Sequence, residues 1–378
     1  MQRSTFDKKK NLGSGMYETE CIVVGAGVVG LAVARELALA GREVIVLEAE
    51  KHKGLHASSR NTTVIHAGIN YPAGSLKGRL CIEGKKRLYT YIAEHNIPHK
   101  QIGKLITSDV HSDDAGIDLL RKLQAKARTL GMEDLHLLSA KEVHHMEPEV
   151  LCSGALWSPT SGIIDVHAYM DALVGDIEDH RGSLALASPV RAGQVKNGRI
   201  NLQIDDSAQT EISCRTLINA AGLNAPLVAR AILGRSHEDI PPRLLAKGTY
   251  CVLKRPSPFN HLVYPAPHGV HASLDLGGQL RFGPDSEWID EIDYQVDERR
   301  IKPFYEKIRH FWPGLRDGDL APGWVGIRAK IGTGKTNDTD FRIDRTELDG
   351  ALIIDLFGID SPGLTASLAL AAEVKGFL

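Results

Sequence analysis

CIVVGAGVVGLAVARELALAGREVIVLEAE, residues Cys21 to Glu50, carries five signals in order. The run Cys21 to Val24 is apolar, β-branched and too short for a helix, so it predicts a buried strand. Gly25-Ala26-Gly27-Val28-Val29-Gly30 is a complete G-x-G-x-x-G. An apolar helix follows, stopped at Gly41. Glu43 to Glu48 then predicts a second strand with an acidic end. Gly25 permits the tight turn, Gly27 lets backbone approach a pyrophosphate, and Gly30 lets helix and strand pack closely. The helix start offers N–H groups and a positive dipole end to that pyrophosphate. Glu48, eighteen residues past Gly30, is placed for a ribose diol, and its charge disfavours a 2′-phosphate. Together these predict a dinucleotide site, with NAD and FAD both open.

Outward from this stretch, 378 residues exceed one compact core and predict two domains, interleaved along the chain. The content, 43% apolar and 24% charged, is that of an ordinary globular protein. A formal net charge of −2, with no basic tract among aromatics, gives no reason to expect a nucleic-acid partner. The cysteines Cys21, Cys81, Cys152, Cys214 and Cys251 stand singly, without C-x-x-C spacing. That argues against zinc or a disulfide framework and for reduced thiols in a cytoplasm. No metal site is expected. The apolar runs are too short for a membrane span; peripheral contact at the inner membrane face stays open. Residues Met1 to Gly15 are polar and read as a disordered leader.

GLHASSRNTTVIHAGINYP, ending at Pro72, is small and polar and predicts a loop near the cofactor. Ser75 to Asn96 has helical spacing. His95 and His99 are separated by Pro98, which breaks the turn a metal pair needs, so both are expected on the surface. A strand over Gln101 to Ser108 and a helix over Asp113 to Leu130 follow. Ser139-Ala140-Lys141-Glu142 is read as falling short of a capping box. A domain crossing is expected after Gly154, then a helix from Val166 to His180 and short strands joined by a two-residue turn at Asn197-Gly198. Leu217 to Gly222 predicts a strand ending in small residues, where backbone passes near a ligand, and a helix through Leu233. The span Pro241 to Pro322 is strand-rich with one helix, Asp297 to Phe311. Gly332 to Thr336 imitates a phosphate loop, but Ala329 stands where the first glycine is needed. Ala351 to Val374 predicts a strand, a turn and a small-residue helix, with Pro362 at its first turn. The expected division is a Rossmann-type domain from 16–97, 151–236 and 331–378, and a strand-rich α+β substrate domain from 98–150 and 237–330.

The blocks SSRNTTVIHAGINYPAGSLKGRLC, INAAGLNA, GVHASLDLGGQLRFGP and LFGIDSPGLTASLALA resemble the D-amino-acid-oxidase-like FAD oxidoreductases. Within that group they are most similar to the L-2-hydroxyglutarate dehydrogenases or oxidases. Asp360 stands where glutamate is more usual. The resemblance implies FAD, with Gly25, Gly27 and Gly30 at its pyrophosphate and Glu48 at its adenosine ribose. It places Val190 and Gly222 beside the adenine half, and Ser59, Arg60 and His66 in the loop along the cofactor. The turn holding Gly358, Ser361, Gly363, Leu364 and Thr365 would aim a helix N-terminus at the flavin pyrimidine, whose negative charge on reduction the dipole stabilises.

The reaction implied is hydride transfer from C2 of L-2-hydroxyglutarate to flavin N5, giving 2-oxoglutarate. It needs a base for the hydroxyl proton and cations for the carboxylates. His66 and His271 are the candidate bases. Arg60, Lys77, Tyr264, Arg281 and Arg328 are the candidate substrate residues. His66 either abuts the flavin or carries it covalently: related amine dehydrogenases attach flavin within a Thr-Trp-His-Ala stretch, and Val64-Ile65-His66-Ala67 lacks the Trp. The same fold serves amine substrates such as sarcosine or dimethylglycine, and glycerol 3-phosphate. A non-catalytic FAD protein and an NAD enzyme are further alternatives. Oxygen, a quinone or a soluble carrier could take the electrons.

Overall fold

The structure, a computed structural model, describes residues 17–111, 113–233, 236–267, 269–332 and 339–378. The leader Met1 to Gly15 and most of the phosphate-loop imitation lie outside the described residues.

A six-stranded sheet carries the fingerprint. Its order is Ser183–Ala185, Val44–Leu47, Cys21–Val24, Thr216–Asn219, Ala351–Phe357 and Arg342–Leu348, parallel except for the last. Every residue of Cys21–Val24 is buried because both sheet faces are covered. Cys21 and Val23 pack under the helices Val28–Leu39, Leu76–Glu94, Val166–Asp179 and Gly363–Lys375. Ile22 and Val24 point the opposite way, as strand alternation requires, against an antiparallel layer including Ile200, Leu202 and Ile212. Gly84 brings two of the helices into contact: a Cβ there would lie 2.3 Å from the Thr365 carbonyl oxygen. The start of the C-terminal helix is thereby pressed against the Leu76–Glu94 helix.

The second sheet has nine strands, among them Lys104–Thr107, Leu262–Pro265, Ala272–Leu274, Leu244–Leu253 and Leu320–Lys330. It corrects the expected domain boundary. Gly154–Ser158 pairs with both Lys104–Thr107 and His136–Ser139, so it belongs to this sheet and not to the segment beginning at 151.

Several local expectations change as well. The helix expected through Leu233 ends at Arg230, because Ile232–Leu233 pairs with Val190–Lys196. The helix expected over Asp297 to Phe311 is a 3-10 turn, Glu298–Ile301, followed by Lys302–Arg309. Ser139 and Glu142 do complete a capping box: the Ser139 backbone N–H donates to Glu142 Oε2 at 2.7 Å, and the Glu142 N–H to Ser139 Oγ at 3.3 Å. His95 is half-buried rather than on the surface, stacked on Tyr91 at 3.9 Å with Nε2 3.2 Å from Asp176. The turn at Asn197-Gly198 forms as expected, with both residues in the left-handed region. All five cysteines are free and buried. No described helix is long and apolar enough to cross a membrane.

Candidate active site

Gly25, with φ 104°, turns the chain from the first strand into the helix, and a Cβ there would lie 2.5 Å from the Ala220 carbonyl oxygen. Gly30 packs the helix onto that turn, its missing Cβ only 1.9 Å from the Gly25 oxygen. The loop is held by two side chains. Glu48 Oε2 accepts the Ala26 N–H at 2.7 Å, and Ser58 Oγ accepts the Val28 N–H at 3.0 Å. Remaining N–H groups of the first helical turn have no partner within the helix.

A cavity of about 410 Å³ opens here, lined by Gly25, Gly27, Glu48, Val190 and Gly222. A second, of about 300 Å³, is lined by His66, Tyr250, Tyr264, His271, Arg328 and the turn at 361–364. Both are bordered by Val29, Ala57, Ser58 and Ile359, so they form one cleft. It runs from Glu48 past the bare Cα of Gly27 to the N-terminus of Gly363–Lys375, with polar backbone at its middle and two helix starts bordering it. A dinucleotide carrying an aromatic ring system fits this donor set and this length. Gly25, Gly27, Glu48, Val190 and Gly222 would hold the adenosine diphosphate part, and Ser361, Gly363 and Leu364 the ring end.

Several predicted site residues sit elsewhere. Ser59 lines neither part of the cleft. Its hydroxyl is buried with no hydrogen-bond partner among the described residues, and Ser58 takes the place expected of it. Gly358, with φ 66°, shapes the turn without reaching the cleft. Thr365 is fully buried and faces the other way: its Oγ1 accepts the His66 N–H at 3.0 Å and donates to the Val64 oxygen at 3.4 Å. Lys77 is spent in an internal ion triad. Its Nζ lies 2.5 Å from Asp360 Oδ1, and Lys330 Nζ lies 2.7 Å from Asp360 Oδ2. Arg281 is paired with Asp275 and borders a separate pocket beside Trp324.

The residues that do meet are His66, Tyr264, His271, Arg60 and Arg328. The Tyr264 ring stacks on His271 at 3.8 Å and meets His66 edge-on at 6.5 Å. Burial, then the Lys104 ammonium, then His271 hold His66 well below the usual imidazole range. His271 is lowered to about 3 by burial, Lys104 and Arg328. Both rings are therefore neutral at pH 7. Arg328 has no carboxylate partner among the described residues. Arg60 donates from Nε to the Leu55 oxygen at 3.1 Å and lies 4.1 Å over the Tyr294 ring, again without a carboxylate.

Sequence reasoning missed Ser58, Tyr250 and Lys104. Tyr250 lies 7% exposed in the long strand Leu244–Leu253 and stacks on Trp324 at 4.5 Å. Nothing in KGTYCVL separates it from a core aromatic. Lys104 did carry a signal, a charge inside the short apolar strand KLIT.

Comparison with known proteins bears on the whole chain. A family model described as FAD dependent oxidoreductase matches residues 20–375. The L-2-hydroxyglutarate dehydrogenase, mitochondrial, of Arabidopsis thaliana is 40% identical, covering 94% of this chain and 82% of that one. The protein of the same name from Caenorhabditis briggsae is 28% identical, covering 97% and 94%. Among solved structures, the dithionite-reduced L-alpha-glycerophosphate oxidase from Mycoplasma pneumoniae with FAD bound superposes with a TM-score of 0.84 at 23% identity, covering 96% of this chain and 95% of that one. The expectation of a cytoplasmic enzyme is overturned by the first two, both named mitochondrial. The five buried, unpaired thiols do not choose among compartments.

Proposed function

The chain belongs to the FAD dependent oxidoreductase family, an enzyme with FAD as its cofactor, and from that premise we propose that it oxidises L-2-hydroxyglutarate to 2-oxoglutarate. One observation carries the substrate reading beyond the relatives' names. The cleft brings two neutral imidazoles together with two arginines, Arg60 and Arg328, that lack carboxylate partners among the described residues. A dianionic hydroxy acid supplies two carboxylates and one hydroxyl proton, which is what such a set can take.

When bound, FAD supplies the hydride acceptor. Arg328 holds one substrate carboxylate and Arg60 the other. A neutral imidazole, His66 in this reading, accepts the hydroxyl proton at a ring nitrogen. Tyr264 and Tyr250 wall the cavity and exclude water, and burial keeps both phenols protonated.

The test is anaerobic titration of the purified flavoprotein with L-2-hydroxyglutarate, its D enantiomer, lactate, sarcosine and glycerol 3-phosphate. Stoichiometric bleaching by L-2-hydroxyglutarate alone is expected. Equal bleaching by lactate would remove the case for a dianion site. Two arginine variants then check the geometry. Arg328→Ala is expected to lower kcat/KM about 10- to 100-fold, since a charged hydrogen bond is worth roughly 1.5–3 kcal/mol. Arg281→Ala is expected to leave kcat/KM within about twofold, because Arg281 already has Asp275 as its partner. Steady-state kinetics on both variants decide it, and a large loss in Arg281→Ala would relocate the substrate.

A further inference from the structure

Lys104 lies in a four-residue strand paired on both sides, and only 2% of it is exposed. Its ammonium sits 5.0 Å from the centroid of the Tyr264 ring. That ring lines the cavity and contacts both candidate bases, while Lys104 does not line it. A lysine buried without an acid is costly, and no carboxylate faces this one among the described residues. We propose that Lys104 is a positioning residue for the base: its charge, set behind Tyr264, adds to burial in disfavouring the imidazolium forms of His66 and His271, so that the base is neutral when substrate binds. This rests on the reading of those histidines as the base candidates.

The surrounding groups favour that role. His66 faces Lys104 and His271, and His271 faces Lys104 and Arg328. From the helix Leu76–Glu94, Cys81 and Lys85 face Lys104; burial raises the Cys81 thiol to about 12, so it is neutral. Asp360, the acid bordering the cavity, is held between Lys77 and Lys330. Among the described residues, no unneutralised anion is therefore placed to stabilise an imidazolium. Burial lowers Lys104 itself to about 8, which leaves it charged at neutral pH.

The experiment is NMR titration of ring-labelled histidines in the holoenzyme, with signals assigned from His66→Gln and His271→Gln. It does not depend on which substrate is used. In Lys104→Met, at least one of the two rings is expected to titrate about one unit higher than in the wild type, and Lys104→Arg restores the wild-type value. The acid limb of kcat/KM should move to higher pH by the same amount, with the alkaline plateau kept within about twofold. Unchanged ring titrations in a folded Lys104→Met would overturn the proposal. Should that variant not fold, the wild type still answers, since both ring signals should show a small second inflection near 8 as Lys104 loses its proton, and its absence counts equally against the idea. A titration shift without bleaching by L-2-hydroxyglutarate would leave the role of Lys104 standing and remove the substrate assignment.

Discussion

Gly27→Leu protein is expected to purify folded and colourless. Gly27 caps the fingerprint helix with φ −75° and ψ 171°, values any residue adopts, so leucine introduces no backbone strain. Its Cβ would meet only Ser58 Oγ, at 3.0 Å, and a serine hydroxyl can rotate away. The rest of the leucine side chain has one direction left, into the cleft where the pyrophosphate must pass. Overpacking costs typically about 1–3 kcal/mol, so flavin affinity should fall by about 10- to 100-fold. Gly25 and Gly30 make poorer probes. Gly25 needs a positive φ, and a Cβ at either position would collide with backbone oxygen, so replacing them breaks the fold together with the site. The ratio of flavin to protein absorbance reads the loss, and far-ultraviolet circular dichroism confirms the fold. Melting should also occur at a lower temperature, because a ligand that binds only the native state stabilises it. Full flavin content in Gly27→Leu would place the dinucleotide elsewhere.

The same contrast explains what the sequence makes legible. Gly25, Gly27, Gly30 and Glu48 are readable because a strand, a turn and a helix fix their relative positions through local geometry. The pairing of Lys77 with Asp360 joins positions 283 residues apart, and no local period encodes it. Sequence alone therefore leaves Lys77 and Arg281 as free cations, although each has an acid in the fold. Arg281 shows the strand version of the problem. Leu280 and Phe282 are buried in the core of the large sheet, so the residue between them must face the opposite side, towards Asp275 and Trp324. Ser58 and Ser59 differ by one place in an irregular loop, where neither period applies, and only the folded loop decides which hydroxyl meets the helix. Gly154–Ser158 belongs with the large sheet through its pairing with Lys104–Thr107, a contact across about 50 residues that no local period encodes.

His66→Ala is expected to lose about 10²- to 10⁴-fold in kcat, the usual worth of a positioned general base, while His271→Ala loses less than about tenfold. Two observations separate the histidines. The His66 backbone N–H is tied to Thr365 Oγ1, so its place is fixed against the first turn of the C-terminal helix, where the ring end of the cofactor would lie. His271 instead lies flat on Tyr264 at 3.8 Å and 9°, which suits a packing partner better than a proton acceptor. The sign of the pH dependence follows from the lowered His66. The base is neutral and competent above its folded-state pKa, and activity falls as pH drops through that value, well below the ordinary 6.5. Acid precipitation bears on the same residue. Flavin released into the supernatant leaves both His66 ring nitrogens free to act as the base, whereas flavin retained in the pellet through His66 leaves one. An unchanged kcat in His66→Ala would transfer the base assignment to His271. In that case His271→Ala should show the larger loss and the acid limb should lie near 3.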